Sequence, residues 1–193
     1  MKLKAFLAAL ALGAAAHAGA AVLTFDGLTD MMYGDGFALA SGMSYDGTNL
    51  TYDESGFRLT LNAPAAAAGA AHVGDGTFDS QTYNWHDGME NGDGTFVTLT
   101  RVGGGRFNLL GFDYYTEGST LSADGAAQGF LAGGGTWNTA LNGIAELRLT
   151  SSAANAIDNV AVEEASAAVP LPGTLPLLLG GVAAFGLARR RRG

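Results

Sequence analysis

The chain has 193 residues, of which 30 are glycine, 4 are proline and none is cysteine, and only 15% are charged. That length holds one ordinary domain with accessory segments, and a hydrophobic content of 48% excludes disorder and collagen. The lack of cysteine excludes disulfide scaffolds, thiol nucleophiles, zinc fingers and iron–sulfur centres, and a net charge of −8 argues against a nucleic-acid partner.

The charge is unevenly spread. Lys2 and Lys4 lie at one end and Arg189, Arg190, Arg191 and Arg192 at the other, while all 18 carboxylates lie between Asp26 and Glu164. That middle region has only Arg58, Arg101, Arg106 and Arg148 to oppose them, a balance of −14. Two terminal segments of different chemistry flank a strongly acidic domain.

Residues 1–20 have a basic tip, an apolar run from Ala5 to Ala16 and small residues suited to cleavage after Ala18 or after Ala20. The run is too short to span a bilayer comfortably, so the segment reads as a helical secretory signal that is removed on export. Residues 21–163 then form the cargo domain. Short runs of β-formers alternate in it with Gly, Asp and Asn turns, the pattern of an all-β protein. Val22–Asp26 is the expected opening strand. Gly56–Asn62 is the clearest one, with Phe57, Leu59 and Leu61 on one face and Arg58 and Thr60 on the other. The alanine run Ala65–Ala71, bracketed by Pro64 and Gly69, reads as a loop.

Thr95–Val102 and Arg106–Tyr115 are expected to pair as a hairpin across Gly103–Gly105, with a bulge near Gly111 returning the apolar residues to one side. Gly133–Gly135 reads as loop punctuation. Gly143–Ser151 and Ala156–Val162 are the expected closing strands. Seven or more short antiparallel strands in this length predict a jelly-roll-like antiparallel β-sandwich. Residues 164–168 form a linker.

Residues 169–193 begin with two prolines in the first four positions, continue with an uncharged span from Leu171 to Ala188, and end in four arginines. Eighteen residues make about 27 Å of helix at ~1.5 Å per residue, enough for a transmembrane helix. The arginines are a stop-transfer signal held on the cytoplasmic side, which leaves the acidic domain outside.

Val169, Pro170, Leu171, Pro172 and Gly173, followed by the Leu/Gly/Ala span and the Arg cluster, resemble the VPLPA-CTERM type of PEP-CTERM sorting signal of Gram-negative bacteria. Gly173 stands where the named motif has Ala. The resemblance covers about 25 residues and implies recognition by an exosortase, a membrane-embedded processing enzyme. It also implies an inner-membrane intermediate, a final place at the cell surface or in the extracellular matrix, and an association with exopolysaccharide.

Catalytic motifs are missing from the cargo. It has no nucleophile elbow, zinc-protease motif or phosphate loop. Asp87–Gly94 fails the EF-hand register at Met89 and reads as a solvated turn. Asp113, in a strand beside Tyr114 and Tyr115, is the best single acid, but glycosidase chemistry needs a facing pair and the sequence singles out none. The expectation is a non-catalytic protein.

Two readings remain for a binding role. Asp158 shares a strand face with Val160 and Val162, and a carboxylate on that side needs hydrogen bonds or a cation. Asp26 in the opening segment and Asp158-Asn159 in the closing strand resemble the ends of jelly-roll carbohydrate-binding modules, which implies a structural Ca²⁺ held by Asp26 and Asp158. Tyr83, Trp85 and Trp137 lie in Gly/Asn/Asp-rich segments read as loops, where rings either stack on sugars or fold inward. The alternatives are a purely structural matrix or adhesion protein without a sugar site, and a glycan-active enzyme.

Overall fold

A computed structural model describes residues 19–30, 32–34, 36–63, 72–73, 81–86 and 94–165. Residues 1–18 of the signal segment, the Ala65–Ala71 run, most of Asp87–Gly94 and the whole sorting segment lie outside the described residues. The rest is all-β and antiparallel, and the described residues contain no helix.

Thirteen strands are described: β1 (Ala20–Leu23), β2 (Tyr33–Gly34), β3 (Met43–Tyr45), β4 (Asn49–Glu54), β5 (Phe57–Asn62), β6 (His72–Val73), β7 (Tyr83–Trp85), β8 (Phe96–Arg101), β9 (Phe107–Ala123), β10 (Ala126–Trp137), β11 (Leu141–Ile144), β12 (Leu147–Thr150) and β13 (Asn155–Glu164). The main sheet runs β1-β13-β9-β12-β8-β5-β4-β3, with β10 and β11 on β9 and β7 on β13, and it curls into a half-barrel. β2 and β6 form a separate two-stranded ladder.

The pleat explains the core. In β5, Phe57, Leu59 and Leu61 are buried, and β4 buries Leu50 and Tyr52 on the same side. Curling brings strands far apart in the sheet into contact through their rings. Phe57 on β5 meets Phe107 on β9 edge-on with centroids 5.5 Å apart, and Phe25 lies between Tyr52 and Tyr83 at 6.1 and 5.6 Å.

Strand β9 is the spine. Its buried positions run Phe107, Leu109, then Phe112, Thr116, then Ser119, Leu121 and Ala123. The parity changes twice. The first change is the bulge expected near Gly111: Val162 faces Leu109 and Ala161 faces Gly111, so Leu110 is the extra residue and turns outward. The second lies at Glu117–Gly118, where β10 also shifts register.

Several expectations are corrected. Phe96–Arg101 and Phe107–Ala123 do not form a hairpin, because β12 pairs with both and lies between them. Leu147 and Leu149 of β12 fill the core between Val97 and Leu99 on one side and Leu121 and Ala123 on the other. Gly103–Gly105, all with positive φ, therefore form a crossover connection. The adjacent hairpin is β9–β10, closed by Asp124 and Gly125 at φ 46° and 79°. Gly133–Gly135 lie within β10, opposite Thr116, Tyr115 and Tyr114, and a side chain on Gly135 would meet the Tyr114 ring. Gly143–Ser151 divides into β11 and β12, because Asp124 Oδ1 accepts the amides of Ala145 and Glu146 at the break. The opening strand stops at Leu23, where Phe25, at φ 54°, turns its ring into the core.

Candidate functional site

The expected loop positions of Tyr83, Trp85 and Trp137 are corrected: all three are strand residues. Tyr83 and Trp85 on β7 are 0% and 1% exposed, so neither ring offers a face to a ligand. β7 pairs with β13 through Trp85↔Asn155 and Tyr83↔Ile157, which turns both rings into the core. Burial pushes the Tyr83 phenol up, and among the described residues neither its hydroxyl nor Trp85 Nε1 has a hydrogen-bond partner. Trp137 ends β10 half-buried. It stacks on Phe112 at 6.5 Å, lies over the side-chain-free face of Gly129 and donates Nε1–H to the Thr139 carbonyl at 2.8 Å.

The acids fare differently. Asp158 stands directly opposite Asp113 in the β13–β9 ladder, a pairing invisible without the register. Asn159 sits at φ 50° beside them, and its side-chain amide donates to Asp113 Oδ2 at 3.0 Å and to Asp158 Oδ2 at 3.1 Å. Its backbone amide donates to Asp158 Oδ1 at 2.7 Å, and Thr136 Oγ1 donates to Asp113 Oδ1 at 2.7 Å. Partial burial raises the Asp158 carboxyl above its ordinary range, and the charges of Asp113, Asp26 and Glu54 add to the rise.

Asp26 follows the opening strand β1, whose Leu23 pairs with Val160 of β13. Its own Oδ2 accepts the Thr24 hydroxyl at 2.9 Å. Glu54 holds the opening segment by accepting the Thr24 and Phe25 amides at 2.9 and 3.2 Å. Burial and the adjacent Glu54 carboxylate push the Tyr52 phenol up to about 12. Among the described residues no three His, Cys, Asp or Glu side chains are grouped to hold a metal ion.

A shallow cavity of about 190 Å³ opens at the paired acids, lined by Asp113, Asp158, Tyr114, Tyr115, Thr82 and the Ala156–Ile157 segment. Tyr115 is 44% exposed, the most accessible aromatic ring at this groove. Gly134 lies opposite Tyr115, where a Cβ would meet the ring at an ordinary contact distance of 3.6 Å. The arrangement offers a ring for stacking beside two hydrogen-bond acceptors.

Sequence reading missed a second cluster, which is structural. Asn155, 1% exposed, accepts the hydroxyls of Thr116, Ser119 and Ser152 on Oδ1 at 2.8, 2.8 and 2.9 Å. Its Nδ2 donates to the carbonyls of Trp85 and Ser152. This knot fixes the β12–β13 connection, β7 and the second bend of β9 together. An asparagine opening a strand after Ser-Ser-Ala-Ala is a weak signal by itself, since its partners come from distant strands.

No protein-family model matches the chain, and no curated protein or solved structure is significantly similar to it.

Proposed function

We propose that this is an exported, non-catalytic component of the cell surface or extracellular matrix that binds polysaccharide, built on a jelly-roll-like sandwich and sorted by an exosortase-like enzyme. The observation that carries the binding role is the Tyr114–Tyr115 groove beside Asp113 and Asp158. Exposed rings stack on the apolar faces of pyranose units, and carboxylates accept hydrogen bonds from sugar hydroxyls.

A structural Ca²⁺ near Asp26 and Asp158 belongs to this reading. Calcium takes oxygen ligands, and a cation there would offset the burial and the neighbouring carboxylates that raise Asp158. The route of export follows from the terminal segments. β1 begins at Ala20, so cleavage after Ala18 leaves the strand whole, and the sorting segment would be cut near Pro172-Gly173.

The test is binding of the full chain, in detergent, to a polysaccharide panel with Ca²⁺ and again with EGTA. Retention that Tyr115→Ala abolishes supports the groove, and dependence on Ca²⁺ supports the ion. No retention under either condition leaves a structural matrix protein. Mass spectrometry of the mature protein tests the sorting, which fails if the Arg tail is still attached.

A further inference from the structure

A sheet edge offers a row of unpaired amides and carbonyls to any second strand, and proteins blunt it by shortness, charge, proline or cover. Two edges of the main sheet are blunted by length, since β1 has four residues and β3 three. β10 is different. It has twelve residues, pairs only with β9 among the described residues, and carries neither a charge nor a proline. No charged residue stands anywhere between Asp124 and Glu146. Its extra residue against β9 is Gln128, whereas the second register shift puts the surplus on β9, where Glu117 and Gly118 stand against Ala132 alone. From Gly129 to Trp137 β10 therefore runs without an inserted residue of its own, with Gly133, at φ 70°, as its bend.

The strand is also open on both faces. Within β10 only Leu131 is buried, and Phe130 is 70% exposed, more than any other large apolar side chain described. The Phe130 ring lies over Gly118, where a Cβ would come within 3.1 Å of it. Ala132 is exposed, and a Cβ on Gly133 would meet nothing within 4 Å. One edge thus carries a protruding ring and, a few residues on, a stretch almost without side chains. Each is the complement of the other.

We propose that β10 pairs antiparallel with β10 of a second copy of this chain, through a dyad close to Ala132, so that the two sheets join into one. The dyad makes the contact isologous: each Phe130 covers the other copy's Ala132–Gly134 stretch, and the two rows of amides and carbonyls close a backbone ladder. Charge selects the same partner. The described residues carry four arginines against twelve carboxylates, so two copies repel over most of their surface. At β10 they meet without setting carboxylate against carboxylate, whereas β1 lies beside Glu163 and β3 beside Asp53. A basic partner would find no charge to complement on this edge.

The test is the oligomeric state of the full chain in detergent, read by size-exclusion chromatography with light scattering at low and high salt. The wild type is expected as a dimer that tightens with salt, because salt screens the repulsion between the acidic bodies. Ala132→Glu and Ala132→Lys each set like charges across the dyad and should weaken the dimer by about tenfold or more. An equimolar mixture of the two should restore it as a heterodimer, a recovery that also shows both variants to be folded. Tyr115→Ala, which reports on the groove, should dimerise as the wild type does, so loss of sugar binding and loss of pairing are distinguishable. A monomeric wild type overturns the proposal. Dimers that both charge variants leave unchanged overturn β10 as the contact, and a mixture that stays monomeric, or a wild type that assembles beyond the dimer, overturns the dyad.

Discussion

Asp113 and Asp158 face each other across the β9–β13 ladder, and one amide group, Asn159 Nδ2, donates to both carboxylates. Like charges directly opposite in a sheet repel, so this pair lowers stability unless a ligand, a proton or a cation intervenes. The shared donor orders the acids but brings no positive charge to them.

Replacing Asp158 by Asn removes both the burial of a charge and the repulsion. The Asp158 carboxyl is raised above its ordinary value of 3.8 in the fold, so the native state binds its proton more tightly than the unfolded chain does. Stability is therefore lost as pH rises from 3.8 through the folded value, and the penalty is complete above it. Asp158→Asn should raise the melting temperature at pH 7 by about 1–2 °C, the effect of a few tenths of a kcal/mol in a domain of this size. The difference from wild type should close as pH falls toward 3.8. Thermal unfolding across that range measures it, and a variant less stable than wild type at pH 7 would refute the repulsion.

The Asn155 knot makes an opposite prediction. Asn155→Ala removes the acceptor shared by the Thr116, Ser119 and Ser152 hydroxyls, which keep bonds to one another and to the Thr150 and Ala154 carbonyls, and leaves the Trp85 and Ser152 carbonyls without its amide. Leaving such groups unsatisfied costs roughly 1–3 kcal/mol each when nothing relaxes, and a loss of about 2–4 kcal/mol is expected overall. Urea denaturation reads this directly. A shift below about 1 kcal/mol would mean that the Trp85 and Ser152 carbonyls find other donors.

How far the sequence reveals this architecture depends on whether the signal is local. The alternation Phe57, Leu59, Leu61 is complete within one strand, and β5 has the expected face buried. The bulge at Leu110–Gly111 was also legible, because the apolar spacing itself changes parity there. The pairing of β8 with β12 was not, since Gly103–Gly105 looks the same in a crossover as in a hairpin. The facing of Asp113 and Asp158 depends on bulges in two strands distant in sequence, so no spacing rule could expose it. Tyr83 and Trp85 misled for a related reason: their short strand is flanked by turn-rich sequence, and what buries them is β13 and the rings of Phe25 and Tyr52.

The two tryptophans of the chain, Trp85 and Trp137, should separate in solution. Trp85 is sealed and Trp137 half-buried, so acrylamide should quench the emission in two phases. Gly129→Val places a side chain where the Trp137 ring now lies, since even a Cβ there would come within 3.2 Å of it. The ring must move outward, which shifts its emission to the red and enlarges the quenchable fraction. A spectrum unchanged by this substitution would show that Trp137 does not pack on Gly129.

The turn between β9 and β10 holds the long hairpin in register, and its two residues contribute separately. Gly125 has φ 79°, so Gly125→Ala should cost roughly 1–2 kcal/mol through the left-handed backbone alone. Asp124 works through its side chain: Oδ1 accepts the Ala145 and Glu146 amides, and Oδ2 accepts from Arg106. Those backbone amides hold its carboxyl below its ordinary value of 3.8. The contribution is therefore present above 3.8 and is lost as pH falls through the lower, folded value. Asp124→Ala should lower the urea midpoint at pH 7, and its deficit against wild type should shrink in acid, while the deficit of Gly125→Ala should not change with pH. Equal pH dependence for the two variants would show that the Asp124 carboxylate does not anchor the β11–β12 break.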